Sequence, residues 1–179
     1  INKNPNTPTN RLSTSILSID RLCFILKYSI AYVQETDAIE KHIMRYPQIF
    51  ATKAIKLKLD EGVKKGIIWH TQGSGKSLTM VFLVRYSRTI KELQDYKILF
   101  IVDRSDLQEQ LEETATLIGE EILVALNGND LKKKLSNDIS NINMTMMQKF
   151  SDGEFEKASF GVDTSKVIVL IDEAHRTQY

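Results

Sequence analysis

The chain has 179 residues, 42% of them hydrophobic, and a formal net charge of +1. This length and composition suffice for one α/β core with an extension and exclude a solenoid repeat or a low-complexity chain. A single cysteine, Cys23, excludes a disulfide framework and a multi-cysteine metal site, so we expect a reducing, cytoplasmic location with no signal peptide or membrane span.

The charge is unevenly distributed. Residues 1–90 hold 14 Lys and Arg against 6 Asp and Glu, whereas residues 91–179 hold 10 against 17. Such asymmetry suggests partners, and nucleic acid is one candidate for the basic half, although basic helix faces are usually just solvated. We interpret the lysines at 132–134 as a solvated helix face rather than a phosphate patch.

The first 44 residues predict a small unit. Residues 1–11 are rich in Asn, Thr and Pro, which is typical of a linker. Ser18 resembles an N-cap, and apolar residues then recur at helical spacing from 19 to 30, which predicts an amphipathic helix. Residues 31–44 alternate like two strands around a polar turn.

A second unit, residues 45–179, alternates helices and strands. Pro47 suits the first turn of a helix that runs to about Asp60 and ends at Gly62. The alternation beyond it predicts an α/β fold, a parallel sheet with helices on both faces. Its strands are expected at 66–70, 97–102, 122–126, 141–146 and up to 172, with helices at 76–90, 104–118 and 129–137.

Residues 66–77 read as a buried strand, a phosphate-wrapping loop and the start of a helix. Gly73 and Gly75 let the backbone turn with its amides pointing inward. Lys76 places a positive charge on the outer phosphates, and the Ser77 hydroxyl can hold a magnesium ion. The helix that follows adds its N-terminal dipole. The sequence therefore predicts a nucleotide site.

Thr71, Gln72 and Ser74 complete the expected nucleotide-binding loop. His70 stands where the general phosphate-loop pattern has a glycine, so the version found in simple nucleoside kinases and small GTPases is not met. Helicase-like motors relax that position. The alternative reading is a glycine-rich turn between a strand and a helix.

Two carboxylates, Asp172 and Glu173, follow an apolar run at 167–171 that is typical of a central parallel strand buried on both faces. Doubly wound sheets place their ligand chemistry at the carboxyl ends of strands, so both should lie beside Lys76 and Ser77. We expect Asp172 to bind magnesium and Glu173 to polarise the water that attacks the γ-phosphate.

Four stretches together resemble the motor region of the R subunit of type I restriction enzymes, which are superfamily 2 translocases. They are residues 70–77, 102–107, 145–150 and 172–179. The resemblance implies that residues 45–179 are the first RecA-like lobe of such a motor, with a phosphate-loop NTPase fold. Residues 1–44 resemble the connector that precedes this lobe in the family.

In that family the R subunit is an ATP-driven translocase of double-stranded DNA and an endonuclease, and it works with methyltransferase (M) and specificity (S) subunits. The resemblance therefore implies ATP and Mg²⁺ as cofactors. The sequence lacks the nuclease motif and the second lobe, so we expect a piece of a larger protein that binds nucleotide without efficient turnover. The alternatives are another superfamily 2 motor, such as a type III restriction motor or repair helicase, and a non-hydrolysing nucleotide-binding assembly module.

Gln48 lies in a tetrapeptide, residues 45–48, that resembles the adenine-reading element of these motors. An amide donates and accepts at once, which matches N6 and N7 of adenine. The alternative is a solvent-facing glutamine near a helix start.

Arg104, Thr145 and Gln148 follow strand ends where motors of this superfamily contact the DNA backbone, a contact that positions without reading sequence. The alternative for Arg104 is a helix-start charge paired with Asp106, and the other two need no function at a strand end. By resemblance His175 couples the nucleotide site to the DNA-binding loops.

Overall fold

The computed structural model describes most of the chain, and all structural statements below concern its described residues. These are residues 6–15, 17–34, 38–71, 73–117, 119–137, 141–149 and 164–172. The chain divides into two compact units, Ile1–Ser74 and Gly75–Tyr179. This division falls inside the phosphate loop, whereas the sequence suggested a boundary after residue 44.

The first unit is a helical layer with a hairpin. Its first helix begins inside the stretch predicted to be a linker, because Pro8 suits a helix start and the Thr7 hydroxyl accepts a hydrogen bond from the Asn10 N–H at 3.3 Å. Ile30, predicted on the second helix, instead opens a strand. The elements are α1 (Pro8–Ser15), α2 (Ile19–Tyr28), β1 (Ile30–Gln34), β2 (Ile39–Ile43) and α3 (Tyr46–Asp60).

The hairpin and α3 agree with the sequence. Strands β1 and β2 pair antiparallel, from Ile30 opposite Ile43 onward. Pro47 lies in the first turn of α3, and Gly62 just beyond its end has φ +78°, a left-handed conformation that favours glycine. Ser18 precedes α2 as expected, but its hydroxyl makes no capping hydrogen bond.

The second unit is a parallel sheet with helices. Its strands run in the order β4-β5-β3-β6, and every neighbouring pair is parallel. The elements are α4 (Lys76–Ser87), β3 (Lys97–Val102), α5 (Ser105–Leu117), β4 (Ile122–Val124), α6 (Gly128–Ser136), β5 (Ile142–Met146) and β6 (Val167–Ile171). The predicted alternation is therefore confirmed from residue 76 onward, with bounds that shift by at most three residues at each end.

Helices cover both faces of this sheet, as predicted. On one face Val81 of α4 and Leu111 of α5 pack into a core around the fully buried Phe100 of β3. On the other face Leu131 of α6 packs with Leu99, the neighbour of Phe100 along the strand. Successive strand residues point to opposite faces, so β3 supplies both cores.

Two strand predictions differ from the structure. Residues 66–70 are irregular, and Ile67 and Trp69 are 93% and 91% exposed, because no described strand lies beside this segment to satisfy its backbone. Strand β6 ends the described sheet instead of lying at its centre. Among the described residues only β3 pairs with it, and Val169 and Ile171 are 46% and 49% exposed.

Candidate nucleotide site

The phosphate loop is shaped by two glycines. Gly73 has φ +74° and Gly75 has φ +81°, both in the left-handed region that side chains rarely adopt. Between them, the Ser74 N–H donates to the Thr71 carbonyl oxygen at 3.2 Å and closes a turn. The sequence reading of these glycines as conformational necessities agrees with the structure.

Helix α4 begins directly at the end of this loop, with Gly75 at its N-cap. The Gly75 carbonyl oxygen accepts the first helical hydrogen bond from the Thr79 N–H at 3.0 Å and a second from the Thr79 hydroxyl at 2.9 Å. The first amides of a helix have no partner within it, and the helix dipole favours an anion there. Lys76 and Ser77 thus occupy the turn in which a phosphate group is stabilised.

The Ser74 hydroxyl provides an independent test of whether a nucleotide fits. Its oxygen is buried and has no hydrogen-bond partner in the described part of the chain. A buried hydroxyl without a partner is costly, and a phosphate oxygen is a strong acceptor. The residues present therefore fit a phosphate group. Gln72 lies outside the described residues.

Asp172 lies at the carboxyl edge of the parallel sheet, and Ser77 contacts the helix that follows β3. The Ser77 hydroxyl contacts Gln110 on α5, the helix that starts immediately after β3 ends. The Asp172 N–H donates to the carbonyl oxygen of Ile101 near the end of β3 at 3.1 Å. This is the edge at which open α/β sheets bind ligands. Glu173 and His175, predicted to act beside Asp172, lie outside the described residues.

Gln48 is 1% exposed, so the alternative reading of a solvent-facing side chain is wrong. Its Oε1 accepts a hydrogen bond from the Arg45 N–H at 2.7 Å, which satisfies a backbone donor at the start of α3. Burial and this contact give Gln48 a structural role in the first unit. Adenine recognition by Gln48 stays a prediction, and it would require the side chain to exchange this partner.

Of the three residues predicted to contact DNA, two form hydrogen bonds within the protein and one is buried. Arg104 pairs with Asp106, with 3.1 Å between Nε and Oδ1, which is the alternative arrangement foreseen for it, and both side chains are exposed. Gln148 donates from Nε2 to the Asp103 carbonyl oxygen at 3.0 Å and links the ends of β5 and β3. Thr145 is fully buried, so a contact of its side chain with DNA would require its surroundings to move.

One carboxyl group on α6, that of Asp130, has a lowered pKa. The hydrogen bond from Lys134 lowers the pKa of Asp130, and a second hydrogen bond from the Leu126 N–H acts in the same direction. Among the described residues no cluster of three or more His, Cys, Asp or Glu could form a metal centre. No described helix combines the length and apolar character needed to cross a membrane.

Sequence reasoning missed Gln110. The residue is exposed on α5 and no motif includes it, so its 33-residue separation from Ser77 gave no signal. Only the packing of α4 against α5 brings the two side chains together.

Comparison with known proteins agrees with this geometry. The chain is 31% identical over 97% of its length to a type I restriction enzyme endonuclease subunit of Staphylococcus aureus (strain COL), and 33% identical over 97% to one of Staphylococcus saprophyticus. It is 36% identical over 64% of its length to the type I restriction enzyme HindI endonuclease subunit of Haemophilus influenzae. It spans 19%, 19% and 11% of these relatives.

The resemblance found in the sequence is thus confirmed, and so is the RecA-like α/β lobe. Residues 47–179 match the model of the SWI2/SNF2 ATPase family. This match covers the phosphate loop, α4 and the strand that precedes Asp172. The chain belongs to the SWI2/SNF2 ATPase family.

Proposed function

We propose that this chain is the ATP-binding first lobe of a motor that moves double-stranded DNA in a type I restriction enzyme. The observation that carries the proposal is the start of α4 directly after a loop whose two glycines have positive φ and whose buried Ser74 hydroxyl has no hydrogen-bond partner in the described part of the chain. ATP and Mg²⁺ are the cofactors that this arrangement suits.

Each residue of the loop has a distinct task in this proposal. The loop amides and the Ser74 hydroxyl bind phosphate oxygens, and Lys76 stabilises their charge. Ser77 and Asp172 would hold Mg²⁺, and the bound ion would neutralise part of the charge on the phosphates. Glu173 accepts a proton from the attacking water as general base. Gln48 recognises adenine, and His175 couples the site to the DNA-binding loops.

The DNA-facing side of the proposal concerns the strand ends. Arg104, at the start of α5, contacts the DNA backbone after exchanging Asp106 for a phosphate. Gln148 and Thr145 support the same surface from the end of β5. The relatives named as type I restriction endonuclease subunits support a restriction-modification complex with M and S subunits. In that complex the ATPase drives translocation coupled to DNA cleavage, in the cytoplasm.

The chain alone is expected to bind nucleotide with little turnover. Superfamily 2 motors close a second lobe over the nucleotide, and the described residues contain one parallel sheet. Adding that lobe in the full-length protein is expected to raise both affinity and turnover.

The experiment that tests the function is DNA-stimulated ATP hydrolysis by the full-length protein. Lys76→Ala should abolish both nucleotide binding and hydrolysis. Lys91→Ala, at an exposed lysine beyond α4, is the matched control and should behave as wild type. Glu173→Gln should keep ATP affinity within a few fold while lowering hydrolysis by roughly two to four orders of magnitude, as loss of a general base does.

Three results would count against the proposal. Equal heats of nucleotide binding for wild type and Lys76→Ala would remove the phosphate loop from the site. Hydrolysis that ignores added DNA would argue for a nucleotide-binding assembly module. Wild-type hydrolysis by Glu173→Gln would make the carboxylate pair a structural feature of the strand end.

A further inference from the structure

Gln110 of α5 contacts the hydroxyl group on which the proposed metal site depends. The Ser77 hydroxyl donates to Gln110 Oε1 over 3.4 Å, between two helices that pack on the same face of the sheet. Gln110 is exposed and lies outside every sequence motif discussed above. A contact that spans 33 residues and reaches the phosphate loop calls for a functional account.

The chemistry of a serine ligand provides that account. A serine hydroxyl has one proton to donate and two lone pairs, and a metal ion takes a lone pair. The proton then needs an acceptor, which fixes the rotation of the hydroxyl. Gln110 supplies a neutral amide oxygen on α5, so it accepts this hydrogen bond without adding a negative charge beside the phosphates.

We propose that Gln110 is a positioning residue that accepts a hydrogen bond from the Ser77 hydroxyl and so keeps the hydroxyl lone pairs available to Mg²⁺. The inference rests on the proposed function, because it takes Ser77 as a metal ligand. Gln110 itself touches neither the metal nor the nucleotide in this scheme.

The contact between Ser77 and Gln110 is a long hydrogen bond. At 3.4 Å it is longer than the usual O–H···O distance of about 2.7–2.8 Å. Hydrogen bonds in catalytic sites are often long without ligand and tighten when the complex forms. Gln110 should therefore affect Mg²⁺-dependent binding and have little effect on binding of the nucleotide alone.

The test is calorimetric titration of the full-length protein with ADP at a series of Mg²⁺ concentrations. Gln110→Ala and Gln110→Met both remove the hydrogen-bond acceptor. Each should raise the Mg²⁺ concentration that gives the half-maximal increase in ADP affinity by about three- to tenfold, the range of one net hydrogen bond. ADP affinity without Mg²⁺ should stay within about twofold of wild type. Gln110→Glu retains an acceptor oxygen and should need no more Mg²⁺ than wild type.

Glu113→Ala, one turn further along α5 and exposed, is the control for a general effect on the helix and should match wild type. The proposal is overturned if Gln110→Ala and Gln110→Met keep the wild-type Mg²⁺ dependence, or if Glu113→Ala changes it equally. Ser77→Ala separates the two levels of the argument. If Ser77→Ala weakens the Mg²⁺ dependence and the Gln110 variants do not, only this inference fails. If Ser77→Ala has no effect either, the metal assignment in the proposed function fails as well.

Discussion

Gly73 provides a quantitative test of the phosphate loop. Its φ of +74° is disfavoured for any residue with a Cβ, by about 1–2 kcal/mol. A Cβ added at Gly73 would meet no atom within 4 Å, so crowding adds nothing to this cost. If the loop of free Gly73→Ala relaxes to a negative φ and the nucleotide requires the observed conformation, the variant should bind ADP about five- to thirtyfold more weakly.

The stability of the protein should respond less than its affinity. Alanine also restricts the unfolded chain, which offsets the cost by about 0.4–1 kcal/mol in the free energy of unfolding. That offset is absent from the binding equilibrium of the folded protein. Calorimetric titration with ADP and urea unfolding of the same samples therefore separate loop strain from loss of fold.

Two further variants make the reasoning refutable. Gly73→Asn should bind better than Gly73→Ala, because asparagine tolerates the left-handed region. Gly66→Ala is the matched control, since Gly66 has no positive φ and an added Cβ there also meets open space. Binding of ADP to Gly73→Ala at wild-type affinity would show that the loop conformation is not required. An asparagine variant weaker than the alanine variant would show that strain is not the cause.

Three other measurements test separate parts of the account. Gln48→Ala should erase a preference for ATP over GTP in competition assays. It should also lower the free energy of unfolding by about 0.5–2 kcal/mol, because the Arg45 N–H loses its acceptor. Equal binding of both nucleotides to wild type would contradict adenine recognition. Arg104→Ala in the full-length protein should weaken binding to unrelated DNA sequences equally and make the logarithmic salt dependence of binding shallower by about one unit. Asp106→Ala, which removes the partner of Arg104, should strengthen DNA binding. An effect confined to one DNA sequence would refute a backbone contact. The depressed pKa of Asp130 stabilises the folded state at pH values above its ordinary value of 3.8, and this contribution should fade as pH falls through the lower folded pKa; an acid-unfolding profile of Asp130→Asn that matches wild type would contradict it.

The sequence predicted the second unit well because its signals are local. Apolar runs such as 97–102 and 167–171 alternate with helical patterns, and each strand or helix formed close to its expected place. The glycines of the phosphate loop were also predictable, since a positive φ selects the residue type directly.

The failures concern properties that depend on distant partners. Residues 66–70 have the composition of a strand, but a strand also needs a neighbouring strand to satisfy its backbone hydrogen bonds. The five residues themselves do not indicate whether such a neighbour is present. Gln110 meets Ser77 only through helix packing, so this contact could not be read from spacing. The contact of Gln48 with the Arg45 N–H is different, because it joins residues three apart at a helix start and is local.

The exposed segment before the phosphate loop carries an intrinsic fluorescent probe, a tryptophan. Trp69 is the sole tryptophan of the chain, it is 91% exposed, and it lies four residues before Gly73. Indole emission moves to shorter wavelengths when water is excluded from the ring. Any event that draws residues 66–70 into a sheet or under a bound partner should therefore register as a blue shift from a single known position, without a label.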